Sequence, residues 1–298
     1  MDVFKIPSLS AKPITISTKE AFENLTKKQK PWIQLKPNPT GLGWRYYAEC
    51  PHCINAIEVI GFSPRHTVAP HGKHYMKRIE GVGYLDHDAY EVCPYRKESE
   101  KSLSKEDKYS TEHHLPSKAL TTLIVQFDRV VYLLQKTLNI RFSIACLTRM
   151  LQDFKASEGW LYKGVSEYNI PWIFAYFTLS KSLYHQQILN NELKTALLVQ
   201  EPQLQFSQSQ QFYEKDKLLV TNGLMLKVSF SFFEHEREVR ENHLFESIHF
   251  KVSTGPKDIY SKKIEFDPLH FANLINMDEE KAKRNWKLVN IAKAVFER

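Results

Sequence analysis

The chain is poor in glycine, with 10 in 298 residues, which argues against a turn-dense all-β protein. It lacks any apolar run near the roughly 18 residues that a membrane-spanning helix needs. Its first residues, Met1-Asp2-Val3-Phe4-Lys5, lack the charged-then-apolar pattern of a secretory signal, so a cytoplasmic location and no membrane partner are expected. Four cysteines are too few for a disulfide scaffold in a chain this long, and a thiol pair in a reducing compartment points to metal or redox chemistry. A phosphate-cradling Gly-rich loop, a Walker lysine, a nucleophile-elbow serine and kinase signatures are missing, which disfavours nucleotide hydrolysis. Concentrated charge is missing too. The net charge of +7 is spread along the chain and permits nucleic acid or acidic partners without requiring them. The densest basic run, Lys27-Lys28-Gln29-Lys30, reads as the solvated end of a short helix.

The apolar share of 42% and charged share of 25% fit a soluble globular protein with a substantial core, in one large domain or two ordinary ones. Thr18 can cap a short helix from Lys19 to about Lys28. Trp32 to Leu35 reads as a strand, Pro37-Asn38-Pro39-Thr40-Gly41 as a turn, and Trp44 to Glu49 and Ile54 to Phe62 as a strand pair around Cys50-Pro51-His52-Cys53. Residues 96–115 carry mixed charge and few apolar side chains and are expected to be a polar linker. Beyond it, Pro116 to Leu138, Ile144 to Phe154 behind a Ser143 cap, Pro171 to Leu183, and Glu192 to Gln200 repeat at helical spacing. Gly223 to Phe233, including Leu224, and Leu244 to Ser253 alternate as strands, and Ile264 to Phe266 can add a third. Asp267-Pro268 and Asp278-Glu279-Glu280 read as starts of two closing helices. The expected fold class is α+β: a zinc-stabilised β module at 1–95, the linker, and a helix-rich domain at 116–298 that ends in a β-hairpin and helices.

Cys50 and Cys53 form half of a tetrahedral zinc site, a knuckle between two strands. Cys93-Pro94 looks like a second knuckle with Arg96 in place of its second thiol. Histidines His66, His71, His74 and His87 lie between the two. Three thiols plus one histidine is the preferred ligand set, because thiolates outcompete imidazole in structural zinc sites. His74 and His87 are the best fourth ligands. The alternative pairs Cys50 and Cys53 with His71 and His74 and leaves Cys93 unused. A reduced thiol pair without metal is the plainer reading. A redox pair fits less well, since a β pattern rather than a helix follows Cys53. No His-x-Glu precedes the knuckle, so a zinc deaminase is not indicated. The expected cofactor is therefore structural zinc.

Asp86-His87-Asp88 could be a divalent-metal triplet but fits a solvated turn after Tyr84-Leu85 better. Glu234, His235, Glu236, Glu238, Glu241 and His243 could hide a carboxylate nuclease, though a charged loop or the outer part of a long hairpin is the simpler reading. Trp44, Arg45 and Tyr47 on one side of the knuckle, and Lys73, Lys77 and Arg78 on the other, interleave aromatic and cationic groups that suit unpaired bases and phosphates. The aromatics could equally form the module's own core. The first functional expectation is a cytosolic nucleic-acid-binding protein, with DNA or RNA as partner. The alternatives are a metal-dependent nuclease and a protein–protein adaptor that docks through the helical domain.

The segments Glu49–Cys53, Gly72–Lys77 and Val92–Arg96 together resemble the small zinc modules at the front of competence-associated CoiA-like proteins. There a Cys-Pro-x-Cys knuckle precedes a His-rich element with an aromatic residue after its first histidine. The likeness covers residues 46–78. Those modules end in His-aromatic-x-His, whereas His74-Tyr75-Met76 is followed here by Lys77. The resemblance implies a zinc module and carries no nuclease active site onto this chain.

Overall fold

The computed structural model describes the chain except for residues 8–11, 39–40, 63–67, 84, 97–102, 221–225, 279–282 and 298. His66, Tyr84, the Pro39-Thr40 step, Gly223, Leu224, Glu279 and Glu280 therefore lie outside the described residues, as do residues 97–102 of the expected linker. Helix and strand occur in comparable amounts, as an α+β chain requires. Two compact units emerge, Met1–Ser102 with Arg237–Phe245, and Leu103–Glu236 with Glu246–Arg298. Among the described residues no helix is long and apolar enough to cross a membrane.

The first unit is mainly β. Strands β1 (Val3–Phe4) and β2 (Ile14–Thr15) form a short pair. Helix α1 (Lys19–Thr26) starts where Thr18 Oγ1 accepts the Ala21 N–H at 3.1 Å, satisfying one of the donors that a helix start leaves open. Strands β3 (Ile33–Asn38), β4 (Gly41–Glu49), β5 (Ala56–Ile60) and β6 (His71–His74) form an antiparallel sheet in that order. A short helix α2 (His87–Glu91) follows, capped by Asp86. Phe22 of α1 packs on Phe4, Tyr46 and Phe62 with ring centroids 5.1–5.9 Å apart. The tip 237–245 belongs to this unit, where the Asp2 N–H donates to the Asn242 carbonyl at 2.9 Å and the Asp2 carboxylate meets His243 Nδ1 at 2.8 Å.

The second unit contains α3 (His114–Val125), α4 (Phe127–Leu138), β7 (Ile140–Arg141), α5 (Ile144–Ala156), α6 (Ile170–Tyr176), β8 (Lys181–Ser182), β9 (Gln187–Ile188), α7 (Asn191–Gln200), β10 (Gln205–Phe206) and β11 (Leu218–Leu219). It continues with β12 (Val228–Arg240), β13 (His243–Thr254), β14 (Lys257–Glu265), α8 (Pro268–Ile275) and α9 (Trp286–Phe296). The charged run from Glu234 to His243 is the outer end of the β12–β13 hairpin, one of the two readings expected for it. Strands β14, β13, β12 and β8 form an antiparallel sheet in that order. Phe230, Phe232, Ile248, Phe250 and Val252 alternate along the two long strands and fill one core with Phe127, Phe154 and Phe174 of the helices.

The closing helix expected to start at Asp278 starts at Trp286 instead, where Asn285 Oδ1 accepts the Leu288 N–H at 3.4 Å and caps it. Three further departures have physical reasons. The helix expected over 116–138 breaks at Gln126 into α3 and α4. There Arg284 takes the Val125 carbonyl at 2.6 Å and grips both oxygens of Asp128 at 2.8 and 2.9 Å, so side-chain bonds replace the continuing ladder. Helix α6 ends at Tyr176 rather than Leu183, because the Asp153 carboxylate captures the Leu179 N–H at 2.9 Å. Residues 103–115 are packed rather than linker-like. Tyr109 is buried and its N–H donates to the Leu161 carbonyl at 2.7 Å, while the Lys105 ammonium lies 4.4 Å from the Tyr176 ring centroid. Composition understated this segment because few aromatic and aliphatic groups carry its burial.

Candidate metal centre and sheet face

The knuckle forms because the chain must reverse between β4 and β5. The Ile54 N–H donates to the Cys50 carbonyl at 3.0 Å, and the Cys50 N–H donates to the Asn55 carbonyl at 2.9 Å. Ile54 takes a left-handed φ of 51°, a region that costs a β-branched residue dearly. Asn55, fully buried, ties the turn to the segment that leads to Cys93. Its Nδ2 donates to the Asp86 carbonyl at 2.8 Å and its Oδ1 accepts the Asp86 N–H at 2.8 Å. Asp86 Oδ1 then caps α2 through the Ala89 N–H at 2.9 Å, and the Cys93 N–H closes on the Tyr90 carbonyl at 3.1 Å. Gly83 permits this close approach. Its φ is +57°, and a Cβ there would lie 2.4 Å from the Ile54 carbonyl oxygen.

These elements bring Cys50, Cys53, His74 and Cys93 together, with all four ligand atoms within 4.8 Å of one another. Cys50 Sγ and Cys93 Sγ are 3.8 Å apart, Cys93 Sγ and His74 Nε2 3.6 Å, and Cys53 Sγ and His74 Nε2 3.2 Å. A tetrahedral ion with metal–sulfur bonds of about 2.3 Å and a metal–nitrogen bond of about 2.1 Å needs edges of about 3.8 and about 3.6 Å. The cluster matches those edges closely at two positions and is tighter at the third. All three sulfurs are fully buried, while His74 is half-buried, with Tyr90 edge-on to its ring at 5.1 Å. Arg96, at the position of the missing thiol, pairs instead with Glu91 and lies over the Tyr90 ring.

Burial opposes ionisation of both Cys50 and Cys93. At Cys50 the neighbouring thiols of Cys53 and Cys93 and the backbone N–H groups of Cys53 and His52 overcome it, holding that thiol well below its ordinary value. Cys93 is pushed well above by burial and by Cys50 and Cys53. Three thiols in one buried pocket cannot all ionise without a cation to share, and the four groups together could hold a metal ion. The fourth cysteine, Cys146, lies in α5 of the other unit, where burial pushes its thiol up to about 11, and it takes no part.

Strand parity explains why His74 joins the thiols and His71 does not. Three residues apart on β6, the two point to opposite faces of the sheet, and His71 Nδ1 lies 2.9 Å from the Ala69 carbonyl. His87 is exposed on α2. Reading His71–His74 as a strand in the sequence would have excluded their pairing, because side chains alternate. The roles of Asn55 and Gly83 had no comparable signal.

The expected nucleic-acid residues divide between two faces. The pairings Gln34–Arg45 and Lys36–Gly43, and the row Tyr47–Glu58–Lys73 across β4, β5 and β6, put Lys36, Arg45, Tyr47 and Lys73 on one face. Arg45 bonds Glu58 at 2.5 Å, Lys73 is exposed, and Lys77 and Arg78 are exposed just beyond β6. Tyr47 is 2% exposed and packs against Tyr75 at 5.4 Å. Burial pushes its hydroxyl up to about 12, with Tyr75 and Glu58 adding to the effect. It is a core residue of the module and has no free ring face for a base. Trp44, 60% exposed, points to the reverse face with Leu35 and Leu42.

The C-terminal acidic group does not assemble as one site. Glu234 and Glu236 lie near His249 on the sheet, but Glu236 is held by the Lys263 ammonium at 2.6 Å. Glu238 pairs with Arg240. His235 is buried, sharing a hydrogen bond with the Tyr162 hydroxyl at 3.0 Å, and its Nε2 is 3.4 Å from Glu246 Oε1. Asn169 Nδ2 donates to the same Glu246 oxygen at 3.2 Å. The sequence gives no sign of this buried polar network, because its members are far apart along the chain. No family model, no curated protein and no solved structure matches this chain.

Proposed function

We propose that Cys50, Cys53, His74 and Cys93 hold a structural zinc ion, and that the module so fixed is a non-enzymatic nucleic-acid-binding element of a cytoplasmic protein. The close cluster of three buried thiols and one half-buried imidazole carries the reading. Thiolate and imidazole suit zinc and not the hard cations magnesium and calcium. Among the described residues no carboxylate belongs to the ligand group. Four protein ligands fill a tetrahedral ion and leave no position for water or substrate, so the metal is a crosslink rather than a catalyst.

Nucleic-acid binding is supported by the sheet register, which gathers Lys36, Arg45 and Lys73 on one face next to Lys77 and Arg78. Phosphates would lie along that face, with Glu58 subtracting part of its charge. Binding should be measured by fluorescence anisotropy with single- and double-stranded DNA and RNA at about 50 and about 200 mM salt. Affinity should fall steeply with salt. Replacing Lys36, Lys73 and Arg78 together by Glu should flatten the log–log slope by roughly 3, at about 0.9 for each phosphate no longer neutralised. No binding to any of the four at low salt would contradict the reading.

A protein–protein adaptor is the second reading, and one observation favours it. Leu35, Leu42 and Trp44 leave an exposed apolar patch on the reverse face of the β3–β4 hairpin. Retained nucleic-acid binding in Trp44→Ala together with Leu42→Ala would assign that patch to something other than bases.

A further inference from the structure

Residues 103–113 carry mostly polar side chains, yet they lie as a strap against the second unit. Leu103 and Tyr109 are its apolar anchors. The Ser104 N–H and hydroxyl donate to the Asp107 carboxylate at 2.7 and 3.0 Å and shape its first turn. Backbone bonds then tie it down. The Tyr109 N–H donates to the Leu161 carbonyl at 2.7 Å, and the Lys163 N–H donates to the Asp107 carbonyl at 2.8 Å.

Two lysines of the strap plug the ends of two helices. Lys105 Nζ donates to the carbonyl of Tyr176, the last residue of α6, at 2.6 Å. Lys108 Nζ donates to the carbonyl of Ser157, directly after α5, at 2.6 Å. Helix ends leave carbonyls without backbone partners and carry partial negative charge, so both ammoniums sit where positive charge is favoured. Lys105 also lies 4.4 and 5.3 Å from the ring centroids of Tyr176 and Phe177, whose faces attract a cation. Its grip therefore depends on its charge. Burial lowers its pKa from the ordinary lysine value, with Glu106 pulling the other way, so more of it is free amine than in a solvated lysine. The residue is still partly exposed. We propose that Lys105 is an acylation site and that its charge latches the strap, so that an acyl phosphate opens it. The Nζ lone pair attacks the acyl carbon and forms an N–C bond. The C–O bond to phosphate breaks, phosphate leaves with the electron pair, and the amine proton passes to water. The resulting amide is neutral. It loses the attraction of the helix end and of both rings, and the buried Tyr176 and Phe177 become accessible as the strap lifts.

Incubation of the full chain with acetyl phosphate, followed by peptide mass spectrometry and hydrogen exchange, tests this. Lys105 should be acetylated. The amides of Tyr109 and Lys163 should then exchange about tenfold faster or more, as expected when a hydrogen bond to a charged group is lost. Lys105→Gln, neutral from the start, should show the same acceleration without reagent. Lys105→Arg keeps the charge and should keep most of the protection, and acetyl phosphate should no longer accelerate exchange in it. Protection in α4 to α6 should hold in both variants, because the opening is local. An unmodified Lys105 beside acetylated Lys36 and Lys73 would overturn the proposal. So would unchanged exchange in Lys105→Gln, equal loss in Lys105→Gln and Lys105→Arg, or loss spread evenly over α4 to α6.

Discussion

The two units of this chain solve the same problem by different means. Among the described residues, three of the twelve largest fully buried side chains, Tyr47, Ile6 and Ile57, belong to the unit of Met1–Ser102 with Arg237–Phe245, and nine to the other unit. There Phe127, Phe154 and Phe174 pack edge to face with centroids 5.5–5.7 Å apart, beneath a sheet lined by Phe230 and Phe250. Fully burying one such ring contributes about 1.5–3 kcal/mol, so that unit can be held by its core. The first unit gathers three buried thiols and an imidazole around one point instead. A small sheet with short connecting strands needs less core when a metal supplies the crosslink. Burial of a cysteine therefore means different things in the two units. Cys146 behaves as a small apolar filler, whereas Cys50, Cys53 and Cys93 are meaningful only as a set.

Removing the metal should separate the two units most strongly. Chelation of the purified protein should unfold the first unit, since structural zinc contributes about 10–16 kcal/mol in small modules at neutral pH. Hydrogen exchange should show protection lost across β3 to β6 and kept in α4 to α6. Equal loss in both would erase the distinction. Next in size, Phe174→Ala should cost about 3–5 kcal/mol in denaturant unfolding of the second unit, with no change in bound metal. Asn55→Ala should cost about 1–3 kcal/mol, because it leaves the Asp86 N–H and carbonyl without their buried partner. Its effect should appear as faster metal loss to a chromogenic chelator. The smallest effect has the opposite sign. Ile54→Gly should stabilise the first unit by about 1 kcal/mol, relieving the left-handed strain at some cost in chain entropy. Destabilisation would mean that the Ile54 side chain matters more than its backbone.

Much of the structure is legible in the sequence where the signal is local. Thr18, Ser143 and Asp267 cap helices as their positions suggest, and the alternation in β12 and β13 marks a buried face. The Cys-Pro steps mark three of the four clustered groups, and His74, one of the two favoured histidines, lies with them. What stays hidden depends on side chains from distant segments. Arg284 breaks a helix 156 residues earlier through Asp128. Tyr162, His235, Glu246 and Asn169 meet only after the sheet and helices fold. Whether Tyr47 faces a base or the core stays open in the sequence because strand register, which decides which side chains face inward, cannot be fixed from one strand alone.

Elemental analysis of the purified protein beside Cys93→Ser, His74→Ala and His71→Ala asks whether the first unit is built on a metal. About one zinc per chain is expected in the unmodified protein and in His71→Ala, with loss or marked weakening in Cys93→Ser and His74→Ala. An unmodified protein without zinc, or a Cys93→Ser variant that keeps it with full affinity, would contradict the three-thiol, one-imidazole centre.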